Sequence, residues 1–175
     1  MYNEPKLYHD HVEAALKLAE DDKIVLIGIS PTHPHTGFGY IHQGEKYKEI
    51  NNISSFEIQE FKEKPDKKTA KEYIDAKDYL WNSGMFITKA SVMLDTMKKL
   101  MPDLHASLMK IKDSKFNQKV LEDEFTKLEK VSIDYGIMEK TDNTVVIRGE
   151  LHWYDIGDWD AMAVAHPKDD RDNII

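Results

Sequence analysis

Apolar positions along this chain fall into short groups whose spacing changes from one group to the next. Val12, Ala15, Leu16 and Ala19 recur at helical spacing and predict an amphipathic helix over residues 9–20. The run Ile24 to Ile29 is apolar throughout and rich in β-branched residues, the pattern of a strand covered on both faces. A loop over 31–39 with two prolines and two glycines follows. Residues 55–61 alternate in part, with Phe56 and Ile58 apolar, and predict a second strand. Asp66 is placed to cap a helix over 67–77 that turns Ala70, Tyr73 and Ile74 inward.

Met85 to Thr88 reads as a strand. Residues 90–129 read as mostly helical, broken at Pro102 and again near Ser114. Three apolar stripes run along that segment and are expected in the core: Met93, Met97, Leu100 and Met101; Leu104, Leu108 and Ile111; Val120, Leu121, Phe125 and Leu128. Ser132 suits the N-cap of a short helix through Glu139, Val145–Ile147 a strand, and 151–155 another. From Pro167 the chain is charged and is expected to fray. Strands alternating with helices predict an α/β fold with a mixed sheet.

At 175 residues the chain suits one domain with a sizeable core. Its 41% hydrophobic and 32% charged residues describe an ordinary water-facing protein. No apolar run reaches the roughly 20 residues of a membrane span, and no secretion leader is recognisable, so no membrane partner is expected. The net charge of −8 and the lack of a basic block argue against nucleic acid as a partner. With no cysteine there is neither disulfide nor thiolate metal site, which fits a cytoplasmic protein.

Several short stretches combine residue types that carry chemistry. Gly37 and Gly39 allow backbone to approach a ligand, although neither a dinucleotide fingerprint nor a phosphate loop is present. Lys64 precedes Pro65 on a restricted backbone, where its ammonium could meet a phosphate, and Glu63 could accept from hydroxyls. A plain charged turn explains the same residues. Trp81-Asn82-Ser83-Gly84 joins an aromatic platform to an amide suited to hydroxyls, or is a simple turn. Asp155 in Trp153–Trp159 offers hard oxygen to Mg²⁺, while Asp158, Asp160 and Asp134 read as helix-start acids. His33 and His35, and likewise His9 and His11, form HxH pairs without the further ligands that zinc needs.

In order, PTHPHTGFGYI (31–41), FKEKPD (61–66), YLWNSGMF (79–86), SIDYGIMEK (132–140) and WYDIGDW (153–159) resemble mannose-1-phosphate guanylyltransferases of the sugar-nucleotidyltransferase superfamily. The resemblance implies a Rossmann-like nucleotide-diphospho-sugar transferase fold, of which residues 1–166 would be the sugar-phosphate half and 167–175 a tail. It implies that Gly39 borders the hexose, Glu63 holds its hydroxyls, Lys64 its phosphate, Asn82 the sugar, and Ser83 and Gly84 shape the pocket. Lys64 and Asp155 would be the catalytic pair, with Asp155 one of two ligands of a divalent cation, Mg²⁺.

The ligand expected for this piece is mannose 1-phosphate, with GTP and GDP-mannose requiring a further, nucleotide-binding part. The glycine-rich opening of such enzymes and the second acidic ligand have no counterpart in these residues. A truncated piece that is inactive alone is therefore expected, and a homodimer is compatible with it. His33 and His35 stand where the family commonly has Arg and Glu. The rival expectations are a non-catalytic sugar-phosphate-binding or subunit-contact module working with a separate chain, and a His-based metal hydrolase.

Overall fold

The computed structural model describes residues 5–151, 153–157, 159 and 166–173. Helix α1 (Pro5–Ala19) leads into strand β1 (Ile24–Ile29), all of whose residues are buried. Strands β2 (Tyr40–Ile50) and β3 (Ile53–Lys62) form a long hairpin. Its two-residue turn places Asn51 and Asn52 at φ of 51° and 65°, the positive values that tight hairpin turns favour. Helix α2 (Lys67–Ala76) starts as the sequence predicts: the Asp66 carboxylate accepts from the Thr69 N–H at 2.8 Å. Strand β4 (Tyr79–Ile87), helices α3 (Ala90–Leu100), α4 (Pro102–Asp113) and α5 (Gln118–Phe125), a π-helical turn (Asp134–Met138) and strand β5 (Thr144–Gly149) complete the chain.

The five strands close in the order β1-β4-β2-β3-β5, with β1 and β5 parallel and the other pairings antiparallel. The result is the mixed-sheet α/β fold expected from the pattern. One core cluster, with Ile24, Leu26, Leu80 and Val146, packs under α3 through Met93, Met97 and Leu100. A second seats Ala14, Ala15 and Leu18 of α1 against Val25, Val145 and Ile147. A third joins Ile27, Ile29, Tyr40 and Trp81 to Ala70, Tyr73 and Ile74 of α2. Among the described residues no helix is long and apolar enough to cross a membrane.

Several expectations change. Strand β2 is missed by pattern reading because most of Gln43–Ile50 is polar and only partly covered; its register also shifts at several points. Strand β4 begins six residues before Met85, so Trp81 to Gly84 lie within a strand rather than a turn. Phe125 is exposed, at 59%, outside the core expected for its stripe, and Leu16 of the amphipathic helix is exposed at 56%. The described residues of 151–155 form no strand. The short helix after Ser132 is wound as a π turn, and the Ser132 hydroxyl accepts only a long bond, 3.4 Å, from the Tyr135 N–H.

Helices α4 and α5 are held by a polar knot. Glu124, only 7% exposed, meets Lys127 at 2.7 Å, the Ser107 hydroxyl at 3.0 Å and Lys110 at 3.3 Å. The bond from Lys127 is the main cause, with those from Ser107 and Lys110, that brings the Glu124 carboxyl down from its ordinary 4.5 to about 2; burial opposes them. A folded-state value below the unfolded one stabilises the fold above the unfolded pKa and ceases to do so as pH falls through the folded one. Amide protection factors over residues 102–125 are therefore expected to fall as the pH drops from 4.5 to about 2. Glu124→Gln should flatten that dependence. Equal protection of the wild-type helices at both ends of the window would contradict the role given to Glu124.

Candidate functional site

Gly39, Glu63, Lys64 and Asn82 gather where strand β2 begins and β3 ends, beside β4. Gly39 immediately precedes β2, Glu63 immediately follows β3, and Asn82 lies in β4. Strand pairing brings them together: Tyr40 pairs with both Lys62 and Trp81, and the Asn82 N–H donates to the Gly39 carbonyl at 2.8 Å. A methyl group on Gly39 would lie 2.5 Å from Glu63 Oε2, 3.2 Å from the Asn82 Cβ and 3.3 Å from Phe61. The absence of a side chain at Gly39 is thus what admits the Glu63 carboxylate to this corner.

Glu63 is buried, and its carboxylate accepts from the Lys64 ammonium at 2.9 Å. Neighbours on a regular strand would face opposite ways. Here the strand has ended, and Lys64 adopts φ of 47°, uncommon for a residue with a side chain. Such a conformation costs on the order of 1–3 kcal/mol and is kept when its surroundings fix it. One fixing contact is the Glu63 N–H, which donates to Glu139 Oε1 at 3.0 Å. Lys64 is 57% exposed at the side chain, so its ammonium remains open to solvent on one side. Its pKa is raised, first by the hydrogen bond to Glu63 and then by the Glu63 charge; burial opposes, and Tyr135 and Asp134 add smaller attractions.

Asn82 is held at both ends of its amide. Its Nδ2 donates to Asp134 Oδ1 at 3.3 Å, and its Oδ1 accepts from the Gly84 N–H at 3.0 Å. Ser83 and Gly84 form an outward bulge. Leu26 pairs with Phe86 while Gly28 pairs with Asn82, so β4 spends two extra residues over this stretch. Gly84 sits at φ of 76°, which explains the glycine. The Ser83 hydroxyl turns inward and donates to the Ile27 carbonyl at 2.6 Å. Ser83 therefore ties the bulge to β1 rather than facing the Glu63 corner.

Asp155 is exposed and makes no ion pair among the described residues. It joins the cluster only indirectly. Trp153 packs edge-on against Phe38 at 5.3 Å, and Phe38 against Trp81 at 5.2 Å. These aromatic contacts bring the chain after β5 to the loop beside Gly39. Asp155 is open to solvent, and a methyl group at Gly157 would meet its oxygens at an ordinary 3.9 Å, so this spacing does not call for glycine there. An unobstructed carboxylate of this kind fits a hard divalent cation. Asp158 and Asp160 lie outside the described residues.

The histidines stack against rings instead of converging as ligands. His35 lies over Phe38 with ring centroids 3.9 Å apart, and His33 meets Trp81 edge-on at 5.1 Å. The loop is anchored by buried Tyr40, whose hydroxyl accepts from the His35 N–H and donates to its carbonyl, both at 3.0 Å. His11 is buried and bonds the Leu7 carbonyl within α1. His9, Asp10 and Glu13 are near one another on α1, but Asp10 is already paired with Lys6 at 2.6 Å. The sequence pattern does not single out Phe38, Trp153 or Glu139, and by spacing Asp134 reads as a plain helix-start acid. The grouping of acids within SIDYGIMEK was the available signal.

The fold and this strand-end cluster define an α/β protein with a polar corner formed by Glu63, Lys64 and Asn82. Residues 3–172 match the family model described as Nucleotidyl transferase, and the chain belongs to that family. It is 37% identical to the mannose-1-phosphate guanylyltransferase of Salmonella montevideo over 169 residues, 93% of this chain and 36% of that protein. Against the Escherichia coli K12 enzyme of the same name, identity is 37% over 155 residues, 86% of this chain and 32% of the relative. The chain thus spans about a third of the length of the curated relatives it matches. The crystal structure of mannose-1-phosphate geranyltransferase from Thermus thermophilus superposes with a TM-score of 0.77 at 32% identity, covering 94% of this chain and 46% of that one.

The Glu63–Lys64 pair gives this corner a direct test. Glu63→Gln removes the main cause of the raised Lys64 pKa, so the ammonium should titrate closer to its ordinary 10.5. Lysine-selective NMR titration measures it. An unchanged Lys64 titration in the variant would show that the pair is not formed.

Proposed function

We propose that this chain supplies the sugar-phosphate-binding part of a mannose-1-phosphate guanylyltransferase. The observation that carries the reading is the meeting of Gly39, Glu63, Lys64 and Asn82 at one strand end. The similarity to enzymes of that name supports it. Residues 1–166 form the sugar-phosphate half in this reading, and 167–175 a tail. A cytoplasmic setting goes with it and agrees with the cysteine-free sequence.

The reaction joins mannose 1-phosphate and GTP. An oxygen of the sugar phosphate forms a bond to the α-phosphorus of GTP, the bond from that phosphorus to the bridging oxygen breaks, and pyrophosphate leaves with the electron pair. GDP-mannose remains. A phosphate monoester, with a second pKa of about 6, is largely dianionic at neutral pH and needs no general base. The protein's task is to place the nucleophile and offset charge.

Gly39 and Glu63 border the hexose, and Glu63 accepts from its hydroxyls. Asn82, its amide already oriented, offers its remaining donor to the sugar. Lys64 turns its exposed ammonium to the phosphate. Ser83 and Gly84 act by shaping the bulge that carries Asn82. Asp155 would hold a divalent cation such as Mg²⁺, which when bound supplies further neutralisation of phosphate charge. The nucleotide is held by other residues of the complete enzyme.

Calorimetry of this chain should register mannose 1-phosphate and no GTP. Lys64→Ala should weaken the sugar phosphate by about tenfold to a hundredfold, the worth of one charged hydrogen bond. In an enzyme that also carries the nucleotide half, Lys64→Ala and Asp155→Ala should each lower kcat/KM sharply. Tight GTP binding by this chain, or near-normal turnover of both variants, would contradict the proposal.

A further inference from the structure

We infer that Asp134 is a second hydroxyl acceptor of this site, set with Glu63 around Asn82, and so holds the sugar rather than the phosphate. The inference rests on the sugar-phosphate reading above and extends it to a residue outside the predicted set. Asp134 opens the π-helical turn, and a carboxylate there would ordinarily serve its own helix. It does not do so here. The Tyr135 N–H is directed to the Ser132 hydroxyl and the Gly136 N–H to the Ser132 carbonyl. The Asp134 carboxylate instead reaches across 52 residues of sequence to the Asn82 amide.

That single bond uses a small part of its accepting capacity. An ionised carboxylate has about four lone-pair sites and no donor. Asp134 is half-buried, and among the described residues its other oxygen accepts nothing. Around Asn82 the corner therefore presents Glu63 and Asp134 as acceptors, a spare amide hydrogen, and Lys64 close by. The charges decide what fits between the two carboxylates. A dianionic phosphate placed there would be repelled by both, whereas hydroxyl groups donate to both. The phosphate then belongs on the open side of Lys64, and the ring hydroxyls between Glu63 and Asp134. Asp134 reaches Asn82 from the first residue of a π-helical turn, a geometry that recurs at functional sites.

The test titrates the wild-type chain, Asp134→Ala and Asp134→Asn with mannose 1-phosphate and, separately, with inorganic phosphate, following binding by NMR. Asp134→Ala should weaken mannose 1-phosphate by about tenfold and leave inorganic phosphate within about twofold. Asp134→Asn keeps an oxygen facing Asn82 and should fall between the wild type and the alanine variant, which guards against loss of fold as the cause. A wild-type preference for mannose 1-phosphate over inorganic phosphate that survives Asp134→Ala would overturn this inference alone. So would equal weakening of both ligands, which would mean that Asp134 acts only by holding Lys64. A wild-type chain with no such preference would overturn the proposed function as well.

Discussion

The pairing of β2 with β4 is the constraint on which the rest depends. It closes the sheet between the hairpin and the buried β1, and its last bond, from the Asn82 N–H to the Gly39 carbonyl, joins two residues of the candidate site. Tyr40 anchors the same pairing: it is fully buried, faces Tyr73 of α2, and ties the 31–39 loop through both backbone groups of His35. Gly39 then has to be a glycine, because the Glu63 carboxylate occupies the space of its missing side chain. Fold and site are thus one object at this end of the sheet.

Charge follows from that geometry. Bringing Glu63 into a buried corner is unfavourable unless it is paired, and Lys64 provides the pair at the cost of an unusual backbone conformation. Glu139, from beyond the π turn, holds the Glu63 N–H. The turn between β3 and α2 is therefore fixed from both sides before any ligand arrives, the pre-organisation that positioning chemistry requires.

Much of the architecture is legible in the residues. Strand β1 reads directly because all six of its residues are apolar and buried on both faces. Helix α2 reads from its Asp66 cap and the breaks in the helical segment from Pro102 and Ser114. Strand β2 does not, because half of it is a polar arm whose hydrogen bonds, not its side chains, keep it extended. The early start of β4 is hidden for a related reason: a two-residue bulge at Ser83 and Gly84 interrupts its alternation and imitates a turn. In the site, Glu63, Lys64, Asn82 and Gly39 stand out through chemistry and resemblance, and the strand ends bring them together. Asp134 is concealed because an acid at a helix start has a simpler explanation, and only the Asn82 contact removes it. Asp155 is linked to the rest through Trp153, Phe38 and Trp81, a tie between rings that no spacing rule expresses.

The most direct measurement is a backbone amide shift map of this chain as mannose 1-phosphate is added. The account predicts that the largest changes cluster at Gly39, Glu63, Lys64, Asn82 and Gly84, with the α4–α5 hairpin silent. Shifts centred on α1, or on the hairpin tip at Asn51 and Asn52, with the Gly39–Asn82 corner unmoved, would contradict it.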